Sequence, residues 1–495
     1  MKKYLFGGAI IVGMLLVVLY TEDIPKTPLE NSHFQSLPKS NEISDFLHDL
    51  VDQSEWAKVV TLGQSAGGRD IEAVLISSGS ADKLSVMLIG SQHATEASGT
   101  EALQMLVRDI LTDSKTHWLD DMNFIIIVNA NPDGRDNNTR FNETNGNINI
   151  DFIELGEDET VIFVNALKKY QPNVILDLHE SYVRKRILTS RQGYINDFDS
   201  QFAVNNNPNL APALNQFSQE IFLPAVIEAN SNMGVPAKQY RGEILQLNQP
   251  IAYAGMRLWN FRNYSALNGA ISVLVENRLD PRNDTYPTPH NIKVRTEKQK
   301  ISIEAFLNTA QTYKDSILSL KKSEKNTTLM LRHQFIIDSQ NPKVDIPLIN
   351  VKTGEQEIHA FPNFAKISLS MPLALPKAYV ITNEQERFMQ LFSRHHLTYQ
   401  IIQAPQTLTV TQSTIRNIHE KYNLIRSSTI LEVDTDERSA DITLNPGDLW
   451  IDVNQPMGQL IPLILEPRST DSIFQEDPYR SLLKINETLF IGRVI

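Results

Sequence analysis

Two residues with metal-binding side chains, His93 and Glu96, stand three positions apart in the sequence. An apolar run at 86–89 precedes them, and apolar residues recur at helical spacing over 100–111. If the chain already turns helically at His93, both side chains leave the backbone on the same side. A neutral imidazole and a carboxylate held in this way provide two ligands for a zinc ion. The pair alone also fits a loop histidine beside a glutamate that stabilises a helix N-terminus.

Two more reactive residues stand at the ends of apolar runs. His179 follows the run 174–178, and Glu276 ends the run that begins at residue 271. Functional groups of α/β proteins collect at the carboxyl ends of the strands, so His93, His179 and Glu276 are expected at one edge of a sheet. A capped strand end explains His179 alone, and an ion pair with Arg278 explains Glu276 alone. Three such residues at successive strand ends favour a common site.

The segments that carry these residues resemble those of the zinc carboxypeptidases (metallocarboxypeptidases) in their order and spacing. The resemblance covers roughly residues 59–278, and the matching stretches are GSQHATE, NPDGR, RFN, GNINIDF, LDLHE and VLVENR. It implies that His93, Glu96 and His179 bind one zinc ion and leave a fourth position for water.

The same resemblance assigns two catalytic roles. Glu276 would be the general base that takes the proton of the water and delivers it to the leaving amine, and Arg140 would polarise the scissile carbonyl and stabilise the oxyanion. The chemistry agrees, because zinc with three protein ligands lowers the pKa of its bound water to about 7. A nearby carboxylate can then move the proton, and a guanidinium supplies fixed positive charge. Asp177 either supports His179 or points into the structure.

One position departs from the family pattern. In the family, an Asn-Arg pair in the stretch that matches 146–152 binds the terminal carboxylate of the substrate. Asn149 matches the asparagine, but Ile150 stands in place of the arginine and cannot form a charge-assisted pair with a carboxylate. Recognition of a free C-terminus is therefore in doubt. The arginines that could replace the missing one are Arg135, Arg257 and Arg262.

Aromatic and histidine residues supply further candidates. Tyr253 matches the family's tyrosine that closes over the substrate, with Tyr264 as the competitor and core packing as the alternative for both. The pair His395-His396 has no further ligand at a diagnostic spacing. A solvated helix end is therefore the favoured interpretation of that pair.

Composition excludes several classes of protein. The chain has 495 residues, of which 41% are hydrophobic, and its formal net charge is -12. No basic field is available to neutralise phosphates, so a nucleic-acid partner is not expected. The absence of cysteine excludes disulfides, thiolate zinc sites and cysteine nucleophiles. Any transition-metal site must therefore use histidine and carboxylate ligands.

The N-terminus predicts export. Lys2 and Lys3 precede an uncharged run at 4–20, which is near the lower limit for a membrane-spanning helix and the upper limit for a signal-peptide core. No Ala-x-Ala-like cleavage site follows, which favours an uncleaved signal anchor over a signal peptide for residues 1–22. The lysines would remain inside, so the chain would be tethered to the membrane with the catalytic domain on the extracytoplasmic side. That side is the periplasm in a bacterium, and cleavage would instead release a secreted protein.

The rest of the chain predicts an α/β fold with a mixed, mostly buried sheet flanked by helices. We assign 23–40 to a linker, 41–325 to the catalytic domain and 326–495 to a smaller, β-rich C-terminal domain. Strands of the catalytic domain are predicted near 59–63, 71–77, 86–90, 124–130, 174–178 and 271–276. Helices are predicted near 41–51, 100–111, 159–170, 211–230 and 297–321. Continuously apolar strands indicate a sheet that is covered on both faces.

These observations together predict a zinc-dependent hydrolase of the metallocarboxypeptidase type that cleaves a peptide bond. Because of Ile150, an amidase or deacylase that acts on acyl-amino acids or cell-wall stem peptides is a second interpretation. A zinc-binding scaffold without activity is the third, although the retained ligands and Glu276 speak against it.

Overall fold

The computed structural model describes residues 24–79, 82–112, 115–279, 289–320, 326–423 and 428–495. The predicted signal anchor, residues 1–22, lies outside these ranges. Within them, no helix is both long enough and apolar enough to span a bilayer.

Strands occur in both halves of the described chain. They are β1 Ala57–Gln64, β2 Asp70–Ile76, β3 Leu84–Gly90, β4 Met122–Ile127, β5 Val174–Tyr182, β6 Tyr194–Asn196, β7 Ser200–Val204, β8 Ala237–Gln239, β9 Ile271–Leu279, β10 Thr328–Ile336, β11 Lys343–Asn350, β12 Gln356–Pro362, β13 Lys366–Ala374, β14 Ala378–Ile381, β15 Gln400–Ile401, β16 Gln406–Asn423, β17 Ser428–Leu444, β18 Leu449–Asp452 and β19 Thr488–Val494.

Helices lie mainly before residue 321. They are α1 Pro28–Asn31, α2 Ser40–Val51, α3 Ser98–Leu111, α4 Pro132–Asn137, α5 Asp158–Tyr170, α6 Arg186–Ser190, α7 Pro212–Phe217, α8 Leu223–Asn232, α9 Phe261–Ala266, α10 Pro289–Thr312, α11 Lys314–Leu320, α12 Gln385–Arg394, α13 Leu460–Leu465 and α14 Asp477–Arg480. A π-helical turn over Ser218–Phe222 joins α7 to α8, so the helix predicted at 211–230 is present with an irregular middle.

The largest sheet confirms the predicted mixed α/β fold. Its described strands lie in the order β1-β2-β4-β3-β5-β9-β7-β8. The central strands β4, β3, β5 and β9 run parallel. Strands β1 and β2 pair antiparallel, as do β2 and β4, whereas β7 is antiparallel to β9 and parallel to β8. The carboxyl ends of the parallel strands therefore share one edge, as the sequence predicted for the reactive residues.

Side-chain alternation explains why this sheet is buried on both faces. In β3, Val86 and Leu88 join an apolar cluster with helices α3 and α10, whereas Met87 and Ile89 join a second cluster with helix α5. Successive side chains of a strand point to opposite faces, so a continuously apolar strand needs cover on both.

The region after residue 326 is β-rich, as predicted, and some of its strands pair with the catalytic region. Its own largest sheet has the order β15-β18-β14-β19-β16-β17. Strand β11 pairs with β12 on one side and with β6 of the catalytic region on the other. Ile251 N–H donates to Pro362 O at 2.9 Å, and Phe364 N–H donates to Ile251 O at 2.7 Å. The division of the chain at residue 325 stays a prediction, and these bonds cross it.

Two local expectations differ from the structure. The segment predicted as a linker contains helix α1, in which Leu29 is buried and Glu30 pairs with Arg108 at 2.6 Å. The predicted solvated helix end at His395 is wrong, because that side chain is only 2% exposed. It accepts a bond from Tyr264 O–H at Nδ1 (2.8 Å) and its Nε2 lies 2.9 Å from Ile153 O. Helix α12 packs against the catalytic region, so its end is covered.

Candidate metal centre

The carboxyl edge of the large sheet brings three predicted ligands together. His93 and Glu96 lie in the loop between β3 and α3, and His179 lies in β5. Their ligand atoms all fall within 4.8 Å of one another, and all three residues are buried. Glu96 Oε1 is 3.1 Å from His93 Nδ1, and Glu96 Oε2 is 3.1 Å from His179 Nδ1. The two imidazole Nδ1 atoms are 3.2 Å apart.

An oxygen atom lies near the outer nitrogen of each imidazole. His179 Nε2 is 2.9 Å from Asp177 Oδ2, and His93 Nε2 is 3.1 Å from Asn147 Oδ1 and 3.2 Å from Arg140 Nη2. With the imidazole hydrogens on Nε2, both Nδ1 lone pairs and the carboxylate of Glu96 are free to bind one ion. Nitrogen and oxygen donors of this kind suit zinc. The residues therefore fit the metal that the resemblance implies.

The charges of the three groups depend on one another. Burial acts to raise the pKa of Glu96, but His93, Arg140 and His179 hold it well below its usual value. Burial lowers the pKa of His93, with help from the charge of Arg140. Burial also opposes protonation of His179, yet Asp177 and Glu96 raise its pKa well above the ordinary value. The cluster thus favours one positive charge between the imidazoles and the carboxylate.

A buried ion pair holds β5 beside the loop between β3 and α3, and no sequence pattern predicted this pair. Glu180 follows His179 directly, and its carboxylate binds the guanidinium of Arg295 on α10 through two bonds of 2.7 Å. Glu180 N–H donates to Glu96 Oε2 at 3.0 Å. Gly99 at the start of α3 allows close approach, since a Cβ there would lie 3.0 Å from Leu178 Cβ. The loop is thereby fixed against β5.

The turn at NPDG places Arg140 against the ligands. Gly134 is required here, since a Cβ at that position would lie 2.7 Å from Phe141 O and 2.9 Å from Ala94 Cβ. Ala94 N–H donates to Arg140 O at 3.3 Å, which joins the two loops. Arg140 Nη1 contacts Glu96 Oε1, and 46% of the arginine side chain remains exposed. The guanidinium thus lies beside the metal ligands and still faces solvent.

Glu276 lies next to His179, since the two residues are register partners in β9 and β5. Its Oε2 atom is buried and has no hydrogen-bond partner among the described residues. Burial, and then the charge of Glu96, raise the pKa of Glu276 to about 8. Among the described residues, Glu276 forms no ion pair with Arg278, and Arg278 Nη1 lies 4.0 Å from Asp197 Oδ1. A carboxylate kept without a partner beside the ligands is available for proton transfer.

The remaining predicted site residues lie in different surroundings. Asn149 is half-buried in a 3-10 turn, and its backbone N–H donates to Asn147 Oδ1 at 3.2 Å. Tyr253 is also half-buried, and the guanidinium of Arg241 lies 4.7 Å from its ring centre. Tyr264 is 1% exposed and binds His395, so it belongs to the core.

The three arginines that could bind a substrate carboxylate in place of residue 150 have different partners. Arg135 is buried against Glu101 and donates from Nε to Pro38 O at 2.9 Å, so its charge is already compensated. Arg257 stacks on Trp259, with 4.5 Å from the guanidinium carbon to the ring centre. Arg262 is buried and binds only backbone carbonyls.

Comparisons with known proteins agree with the site. The family model for zinc carboxypeptidases matches residues 43–151. A carboxypeptidase 2 of Trichophyton rubrum is 23% identical over 448 residues, which cover 86% of this chain and 81% of that protein. A carboxypeptidase B of Astacus astacus is 31% identical over 97 residues, which cover 19% of this chain and 32% of that protein. Carboxypeptidase A of Helicoverpa armigera, a solved structure, is similar at 17% identity with a TM-score of 0.44, over 56% of this chain and 75% of that one.

These findings confirm the resemblance that the motifs indicated. Residues 43–151 match the zinc carboxypeptidase family model, and the comparisons indicate a zinc metallopeptidase with zinc as its cofactor. The described cluster His93, Glu96 and His179 is the group that could hold the ion.

Proposed function

We propose that the protein hydrolyses peptide bonds as a metallocarboxypeptidase, with His93, Glu96 and His179 as zinc ligands. The observation that supports this most is the convergence of two imidazole Nδ1 atoms and one carboxylate beside Glu276, a carboxylate whose Oε2 atom has no partner within the described part of the chain. Zinc, when bound, supplies a Lewis acid that polarises a carbonyl group and acidifies water.

The residues around the ligands divide the remaining chemistry. Glu276 takes the proton of the attacking water as the carbon–oxygen bond forms, and delivers it to the amine nitrogen as the carbon–nitrogen bond breaks. Arg140 donates N–H bonds to the carbonyl oxygen as that oxygen gains negative charge. Asp177 and Asn147 hold the imidazoles in one tautomer and orientation. Asn149 and Tyr253 are proposed to contact the substrate.

A second candidate function follows from Ile150. This side chain packs against an apolar cluster, so position 150 offers a substrate carboxylate no charge. An amidase or deacylase that cleaves acyl-amino acids or stem peptides would not need that charge. The protein would act outside the cytoplasm, tethered or secreted, as the N-terminal sequence predicts. A zinc-binding scaffold without activity is the third candidate.

The test compares a peptide that has a free C-terminus with the same peptide as its C-terminal amide. A metallocarboxypeptidase cleaves the last bond of the free peptide and leaves the amide almost untouched, whereas equal rates on both favour the amidase. Glu276→Gln is the matched variant, and its rate should fall by about 10²–10⁴-fold at unchanged zinc content. If the wild type cleaves no peptide or acyl-amino acid of a broad panel and the variant does not differ, the scaffold is correct.

A further inference from the structure

A cavity of about 280 Å³ lies beside Tyr253, and one charged side chain lines it. That side chain is Arg262, and the lining contains neither aspartate nor glutamate. The polar groups that line it with Arg262 are Asn206, Asn215, Gln219, Gln239, Tyr240 and Tyr253. Such a cavity is about the size of one amino-acid side chain and carries a net positive charge.

The cavity lies on the same sheet face as Glu276. Gln201 on β7 is the register partner of Glu276, and Ala203, two residues further along β7, lines the cavity. Residues two apart on a strand point to the same face. Tyr240, in the cavity wall, has its pKa raised by burial and by the nearby carboxylate of Glu276. Ala203 and Tyr240 therefore connect the cavity to the surroundings of Glu276.

Arg262 is a buried charge whose partners are neutral. Arg262 is 4% exposed, and its Nη1 and Nη2 donate to Val204 O and Gly255 O, each at 2.6 Å. A guanidinium has five N–H donors, so donors remain after these two bonds. Burial lowers the pKa of Arg262 to about 10, which still leaves it charged at neutral pH. The buried carboxylate of Asp177 acts on Arg262 and favours its charged form, but no carboxylate among the described residues forms a direct ion pair with it. A ligand carboxylate at the remaining donors would add that direct pair.

The walls opposite Arg262 strengthen any such interaction. Phe335, Ala365 and Ile367 belong to the region after residue 326 and line the cavity with apolar surface. A charge-assisted bond beside apolar surface is stronger than the same bond in solution. The neighbouring cavity of about 300 Å³ differs, because it is lined by Arg241 and Lys238 together with Asp197, Glu243 and Asp345. Mixed charges of that kind do not select an anion.

We propose that Arg262 recognises a carboxylate of the substrate's last residue, in place of the cation that Ile150 does not provide. The carboxylate is either the terminal α-carboxylate or an acidic side chain of that residue. This inference rests on the proposed peptidase function and deepens it, since it names the chemistry of the residue that is released.

The experiment measures kcat/KM for one acyl-dipeptide series that ends in Glu, in Gln, and in the C-terminal amide of Gln. A charged hydrogen bond in a buried site is worth about 10- to 100-fold in kcat/KM. If Arg262 binds an acidic side chain, the Glu peptide exceeds the Gln peptide by that factor. If it binds the α-carboxylate, the Glu and Gln peptides are equal and the amide falls by that factor. Equal rates on all three substrates would overturn the proposal.

Variants test whether Arg262 causes the preference for a substrate carboxylate. Arg262→Met should remove the preference, Arg262→Lys should retain part of it, and Arg241→Met in the neighbouring cavity should leave the preference in place. Loss of the preference in Arg241→Met and not in Arg262→Met would refute the assignment. Should Arg262→Met fail to fold, as judged by its thermal unfolding, the comparison of Arg262→Lys with Arg241→Met decides.

Binding separates this inference from the proposed function. Calorimetry with the Glu276→Gln variant measures affinity for the same peptides without turnover. A 10- to 100-fold preference in affinity that depends on Arg262 supports the carboxylate site even if no peptide is cleaved. Hydrolysis of peptides without such a preference supports the peptidase and rejects the carboxylate site.

Discussion

Glu276 and Arg262 have no ion-pair partner among the described residues, whereas Asp471, where the region after residue 326 meets the catalytic region, pairs with His333. At that contact, Asp471 accepts from Leu258 N–H at 2.8 Å and from Asn207 Nδ2 at 3.1 Å, and it lies 3.2 Å from His333 Nε2. Burial acts to raise the pKa of Asp471, yet the bond with His333 keeps it below the usual value. The carboxylate of Asp471 is therefore satisfied within the protein.

Glu276 and Arg262 differ from Asp471, because neither has an ion-pair partner among the described residues. Glu276 has a buried oxygen without a partner in the described part of the chain, and Arg262 binds only neutral carbonyls. Two imidazole nitrogens face each other at 3.2 Å. Groups of this kind cost stability and become satisfied when a cation or a substrate binds. The bonds of Asp471 thus stabilise the fold, whereas the unpaired groups at the sheet edge lower its stability in the absence of a ligand.

The largest expected loss of stability follows the removal of one partner of a buried ion pair. Arg295→Met leaves the Glu180 carboxylate buried without its counter-ion, and should lower the free energy of unfolding by about 3–5 kcal/mol. The exposed pair of Arg416 and Asp436, with side chains 49% and 66% exposed, is the control. Arg416→Met should cost at most about 1 kcal/mol in the same urea titration. Equal losses in the two variants would break the comparison.

The next effect is a dependence of stability on pH at the contact between the regions. Burial lowers the pKa of His395 to about 4, whereas an unfolded histidine titrates near 6.5. As pH falls through this window, the unfolded chain binds the proton first, so stability is retained above pH 6.5 and declines toward pH 4. The expected decline is about 3 kcal/mol.

A pair of neighbouring variants isolates that decline. His395→Asn should flatten the dependence of unfolding free energy on pH between 6.5 and 4, whatever its effect at neutral pH. His396→Asn is the control, since that partly exposed side chain binds Asn165 at 2.8 Å on the surface of the contact. Retention of the full decline in His395→Asn would show that another group is responsible.

A smaller effect is expected at the residues behind the ligands. Asp177→Asn removes the negative charge that faces His179 Nε2, and should lower the affinity for zinc by about 10- to 100-fold. Competition with a chromophoric chelator at fixed pH measures this change. Asp197→Asn, which removes a carboxylate remote from the imidazoles, should leave the affinity unchanged. An unaltered affinity in Asp177→Asn would remove Asp177 from the metal site.

The smallest expected change is a gain in stability. Glu276→Gln removes a carboxylate whose Oε2 atom has no hydrogen-bond partner among the described residues and whose pKa is raised to about 8. In the metal-free protein it should raise the free energy of unfolding by about 1 kcal/mol. Glu101→Gln is the matched control, because Glu101 is paired with Arg135 and its loss should destabilise. Destabilisation of both variants in urea would show that Glu276 is not held at a cost.

Sequence patterns anticipated most of the catalytic sheet and the ligand set. Strands β1 to β5 and β9 were predicted from apolar runs, and those of β3 and β4 are continuous because a strand buried on both faces requires such a run. Strand β16 was missed because it is rich in threonine and polar residues and has no apolar run. Its partners are β17 and β19, so its pairing depends on the rest of the sheet.

The sequence by itself supplied the candidate groups and their elements: His93 and Glu96 after β3, His179 in β5 and Glu276 in β9. The tertiary structure alone decided which groups face them. Asn147 on His93, Arg295 under Glu180 and Arg262 in its cavity are contacts between distant segments, and so is the buried end of helix α12 at His395. Local patterns fix a residue's element and face, whereas these partners are set only when packing of the whole chain excludes water between them.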